Sequence, residues 1–146
     1  KGGGRAMLRL APERRDAMAC RFVKLVLREL IDDDTFSQVV QMRSFEQAEG
    51  VEKVLILDRF LTAFHLQDVV MERFVAHVAA VHSRFGIDVL RDQWFEELHV
   101  DKMAEDGTDV DIAVQIYAAI TIGVACKTST LALKLEQLRH GRNPTF

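Results

Sequence analysis

The chain carries five histidines, His65, His77, His82, His99 and His140. Imidazole is the side chain best suited to metal ligation or proton transfer near neutral pH. His82 stands apart by position. It follows Phe74 and Val78 at steps of four, which on a helix places it near one apolar face. An imidazole there can ligate a metal if its second nitrogen finds a partner; it can equally be a core histidine bonded to a backbone carbonyl. His65, His99 and His140 fall near helix ends or polar sides and read as surface residues, and His77, beside Arg73 and Arg84, as partly exposed. Asp32-Asp33-Asp34 suggests a cation site less than a solvated turn whose last member caps the following helix. Glu96, Glu97 and Asp101 read as the solvated side of an amphipathic helix. There is no Gly-x-Gly-x-x-Gly, Walker loop, Gly-x-Ser-x-Gly or His-Glu-x-x-His. No catalytic residue is assigned, and the chain is not expected to be an enzyme by itself.

Helices must position these residues. Pro12 and Glu13 suit a first turn, and Met18, Phe22, Leu25, Val26 and Leu30 recur at helical spacing up to the three aspartates. A short piece over 35–41 follows, and Ser44 with Gln47 resembles a capping box. Val51, Val54, Leu55, Leu57, Leu61 and Phe64 mark a helix over 51–64, with a joint at His65-Leu66. The spacing then predicts a helix over 67–85, stopped by Gly86. Asp88 is placed to cap another, through Leu90, Trp94, Phe95, Leu98 and Met103 to about Ala104. After a turn at Asp106-Gly107-Thr108-Asp109, a last helix runs from Val110 to about Arg139. Its first half is apolar nearly all round and therefore central; its second half, 127–137, is polar on one side. No strand alternation or repeat is present. The reading is a single all-α domain of about five longer helices plus one or two short ones.

Bulk properties narrow the class. At 146 residues, 49% hydrophobic and 28% charged, the chain suits one globular domain. A net charge of −3 without a basic run argues against nucleic acid as the main partner. Cys20 and Cys126 lie far apart in apolar helical stretches, which reads as buried free thiols in a reducing compartment, with cytoplasm the default. The longest apolar run, 112–126, is shorter than the ~20 residues of a membrane span. Residues 1–11 read as a flexible leader or an appended remnant, 12–140 as the domain, and 141–146 as a tail or the start of a linker.

Val81-His82-Ser83-Arg84-Phe85-Gly86-Ile87 resembles the stretch around the proximal histidine of globin-coupled sensors (sensor globins and protoglobin-like domains). In that family a histidine is followed two places on by a basic residue, then an apolar residue, glycine and another apolar residue. The order of helices is similar over about 12–138, and the motif specificity lies in 78–87. The resemblance implies a globin-like fold with haem b, its iron ligated by His82. It implies a pocket drawn from Phe22, Val54, Leu57, Leu61, Met71, Phe74, Val78, His82, Phe85 and Trp94, with Val54, Leu57 and Leu61 on the distal side. The chain departs from the family where a tyrosine often bonds bound oxygen: Phe22 stands there, and the only tyrosine is Tyr117 in the last helix. That departure leaves carbon monoxide, nitric oxide or another distal donor open.

The family reading implies a gas-sensing (O2/CO/NO) domain for signal transduction. It signals through its last two helices to a partner or output domain, and those helices commonly form a homodimer. The alternatives are a haem-free globin-fold interaction or scaffold domain, and an unrelated helical bundle that joins an assembly.

Overall fold

The computed structural model describes residues 12–94 and 107–125. Seven α-helices account for nearly all of them, without a strand among the described residues, so the domain is all-α. They are α1 (Pro12–Leu25), α2 (Asp33–Gln41), α3 (Arg43–Gln47), α4 (Val51–Ala63), α5 (Gln67–Phe85), α6 (Ile87–Trp94) and α7 (Asp109–Ala125). A π-helical turn, Val26–Leu30, continues α1 without a break.

The apolar spacing explains α1. Met18, Phe22, Leu25, Val26 and Leu30 are all buried on one side. The π turn, which the spacing does not announce, inserts one residue into the winding, and both Val26 and Leu30 stay in the core. The aspartate turn caps α2 through its first member. Asp32 accepts a hydrogen bond from the Thr35 amide at 2.8 Å, so the helix starts at Asp33 and Asp34 lies within it. That bond holds the Asp32 carboxyl below its usual range. The Ser44–Gln47 capping box does not form: α3 begins at Arg43, which puts Ser44 inside the helix, and Met42 precedes it without a side-chain cap.

α4 ends where expected, and the joint after it has a definite geometry. The Leu66 amide donates to the Leu61 carbonyl at 2.8 Å and the His65 amide to the Thr62 carbonyl at 3.2 Å. These are the paired bonds of a Schellman ending. His65 takes the left-handed position at φ 57°, where glycine is usual. The histidine is exposed, so it serves a turn.

α7 is the central element. It packs most extensively on α5 and also on α4 and α1, and Ile112, Ala113 and 116–121 are buried. A helix apolar nearly all round has no solvent face to spare, and three neighbours cover it. By contrast α4 and α5 touch each other little, although they are consecutive and both lie on α7. Between α1, α5, α6 and α7 an aromatic cluster fills the core. Phe22 meets Tyr117 edge-on at 5.4 Å between centroids, and Phe74 meets Trp94 at 5.7 Å and Tyr117 at 5.8 Å.

Cys20 is exposed, not buried. It occupies the outer side of α1, four residues before Lys24, where the helix turns away from the core. No described helix is long and apolar enough to cross a membrane. Several expectations lie outside the described residues: the leader 1–11, the continuation of α6 with Glu96, Glu97, His99 and Asp101, Cys126, the polar half of the last helix with His140, and the tail 141–146.

Candidate functional site

His82 sits in the last turn of α5. The Gly86 amide closes that turn on the His82 carbonyl at 3.0 Å, and Gly86 adopts φ 91°, which ends the helix as its type predicts. The side chain reaches the first turn of α7, where its Nδ1 lies 2.9 Å from Oδ1 of Asp109. An ionised carboxylate only accepts, so Nδ1–H donates and Nε2 of the neutral ring keeps its lone pair. The imidazole is 31% exposed and the carboxylate 40%, so the pair stands at an edge of the fold.

The local sequence frees Asp109 for this contact. Thr108 caps α7: the Asp111 amide donates to Thr108 Oγ1 at 3.2 Å, and the Thr108 amide donates to Asp111 Oδ2 at 2.9 Å. That reciprocal pair is a capping box with aspartate in the acidic place. With the cap supplied by Thr108, Asp109 points across to α5. The N-terminus of α7 favours the negative charge of the Asp109 carboxylate.

The other candidates divide by burial. Phe22, Val54, Leu57, Leu61, Phe74, Val78 and Trp94 belong to the core, each under a tenth exposed. They pack against one another and against α7, and a flat cofactor would have to displace packed neighbours to reach them. Phe85 is the reverse, 59% exposed, with the Arg84 guanidinium 5.4 Å from its ring centroid. Only Met71 and His82 are half-buried.

Met71 belongs to a longer stripe on α5. Met71, Val75, Ala79 and His82 follow one another at helical steps, and all four are half-buried. They form an apolar stripe beside the sealed stripe of Val70, Phe74, Val78 and Val81, and it ends at the imidazole. Asp109 was missed as a partner, because a carboxylate at a helix start reads as a cap. Tyr117, named from the sequence as the chain's one tyrosine, also belongs to this account. Its hydroxyl is buried without a hydrogen-bond partner, next to Phe22, the position where the sensor-globin resemblance expects a tyrosine. Burial pushes that phenol well above its ordinary value near 10, and the charge of Asp58 adds to the shift.

Among the described residues no group of three or more His, Cys, Asp or Glu side chains is placed to hold a metal ion. A single imidazole with a carboxylate behind it is the donor set this site offers. Comparisons with protein-family models, curated proteins and solved structures return no match.

Proposed function

We propose that this chain is a haem-binding, gas-sensing domain with His82 as the axial ligand. The observation that carries the reading is the His82–Asp109 pair. A histidine that ligates a metal generally gives its other ring nitrogen to a carboxylate or carbonyl, which fixes the tautomer and strengthens the ligand. Here Nδ1 is held at 2.9 Å, so Nε2 is the ligand nitrogen. The half-open stripe of Met71, Val75 and Ala79 offers apolar surface on the same side of α5. Haem bound there would supply an iron for a diatomic gas. The seven core residues keep the helices in place, and Phe85 stays outside the site.

The chain's own part in signalling follows from the same pair. A displacement of the imidazole is passed by its hydrogen bond to Asp109 and so to the start of α7. α7 packs on α1, α4 and α5, so a shift at its first turn reaches most of the domain. An output domain or a second copy would take up the movement beyond Ala125.

A second reading, a haem-free helical interaction domain, is favoured by the sealed core, in which the rings of Phe22, Phe74, Trp94 and Tyr117 pack against one another. One experiment separates the two. Haemin is added to the purified chain and the absorption spectrum recorded for the wild type and for His82→Ala. The sensor reading expects a saturable Soret band that the substitution abolishes. A wild-type chain without that band sinks the haem reading and leaves the interaction domain. A band unchanged in His82→Ala removes His82 from the iron.

A further inference from the structure

A second concavity lies on another side of the molecule. It has a volume of about 380 Å³ and is bounded by the outer face of α1, by His77 of α5 and by the end of α6. His82 does not line it. Its size falls at the lower end of the range for small-molecule sites, roughly 300–1,000 Å³.

The wall from α1 is one helical stripe. Ala17, Arg21, Lys24 and Arg28 follow at steps of three and four, with Leu25 and Cys20 beside them. Taken alone, such a stripe is an ordinary solvated basic face. Three observations make it more than that. First, α6 stands opposite and closes it: the Arg21 guanidinium donates to the Gln93 carbonyl, bridging the two elements and fixing the rim. Second, the wall includes Trp94, which is 3% exposed and whose indole N–H is buried without a hydrogen-bond acceptor. Native proteins rarely leave such a donor unmatched. Third, Arg28 and Glu29 are carried by the π-helical turn, and π turns inside α-helices recur at functional positions.

The charges of the wall choose the ligand. Among the described residues Arg21, Lys24 and Arg28 face one carboxylate, Glu29, which lies 4.0 Å from His77 Nδ1. The balance is cationic. Guanidinium and ammonium groups are donors only and suit a carboxylate or phosphate oxygen. Ala17 and Leu25 add apolar surface. We infer that this pocket binds a small organic oxyanion, a carboxylate or phosphate monoester with a compact apolar body. Lys24 and Arg28 take the anionic head, one oxygen of which accepts from the Trp94 indole N–H, and the body lies against Ala17 and Leu25. The site is separate from His82 and adds a second ligand class to the haem reading.

The chain contains its own reporters. Trp94 is the only tryptophan, and Cys20 is in the wall of the pocket. The full chain is titrated with phenyl phosphate, benzoate, inorganic phosphate, benzyl alcohol and benzylamine. Emission of Trp94 is followed, together with the rate of Cys20 alkylation in a Cys126→Ser background. Phenyl phosphate and benzoate are expected to give a saturable emission change and to slow alkylation. Benzyl alcohol and benzylamine are expected to do neither, and inorganic phosphate to bind more weakly than phenyl phosphate. Lys24→Gln with Arg28→Gln should weaken binding by about tenfold or more, the loss of at least one charge-assisted bond. Both residues are exposed, so the variant folds, as far-UV circular dichroism would verify. His82→Ala should bind as the wild type does, which keeps this outcome distinct from that of the haem titration. The inference is overturned by any of three results: no saturable response to either organic anion, equal binding of benzyl alcohol, or wild-type affinity in the double variant. Inorganic phosphate binding as tightly as phenyl phosphate would overturn the apolar part of the assignment.

Discussion

Phe74 and His82 lie on the same helix, about two turns apart, and have opposite surroundings. Phe74 is sealed, with Phe22, Trp94 and Tyr117 around its ring. His82 is half-open and holds one polar partner from the next element in space. The difference shows that one helix carries a sealed stripe and a half-open one side by side. The stripe of Val70, Phe74, Val78 and Val81 is buried in the core shared with α7, while the neighbouring stripe of Met71, Val75, Ala79 and His82 stays half-open.

The largest effect should come from breaking the closed region. Phe74→Ala removes a fully buried ring from its contacts with Phe22, His77, Trp94 and Tyr117 and is expected to cost about 3–5 kcal/mol in urea unfolding. A loss below 1 kcal/mol would mean that the cluster is not the centre of the core. Next comes the open region. Asp109→Asn keeps the shape of the partner but weakens its hold on Nδ1, and should lower haemin affinity by roughly 10–100-fold, the usual range for such supporting groups. Its effect on the stability of the haem-free chain should stay within about 1 kcal/mol, since the pair is partly open to solvent. An unchanged haemin affinity would detach Asp109 from the proposed site.

Smaller changes sharpen the contrast. Tyr117→Phe deletes a buried hydroxyl that has no partner, so stability should rise by about 1 kcal/mol. Because the folded phenol titrates above its ordinary value near 10, its contribution is present below that pH and fades as pH rises past it. The wild type should therefore lose stability above pH 10 faster than Tyr117→Phe in parallel denaturation curves. At the joint, His65→Gly relieves a left-handed residue and should add about 1 kcal/mol in thermal melts. The smallest effect is expected at His77. Burial lowers its titration, against a weaker opposing pull from Glu29. Its contribution is present above the ordinary value of 6.5 and is lost as pH falls below it. His77→Gln should flatten that acid limb, and an identical limb in both proteins would assign the acid sensitivity elsewhere.

Helix existence was legible because burial repeats with the helical period. The steps from Met18 to Leu30 and from Val70 to Val81 mark core faces, Gly86 marks an end, and the uniformly apolar start of the last helix marks the centre. Local chemistry was legible less well. Asp32, Asp33 and Asp34 are equally good caps by type, and only the backbone path selects Asp32. His65 gives no sign of a left-handed turn, because that conformation is imposed by how α4 meets α5.

The sequence by itself determined an all-helical chain and singled out His82 as an imidazole at the edge of an apolar stripe. It could not divide that stripe into sealed and open parts, since both have the same residue types at the same spacing. Tertiary packing made that division: Phe74 and Val78 are buried in the core shared with α7, whereas Met71, Val75 and Ala79 stay half-open. It also gave His82 its partner. Asp109 lies far along the chain, and only the docking of α7 against α5 brings a carboxylate freed by Thr108 within hydrogen-bond reach of the imidazole.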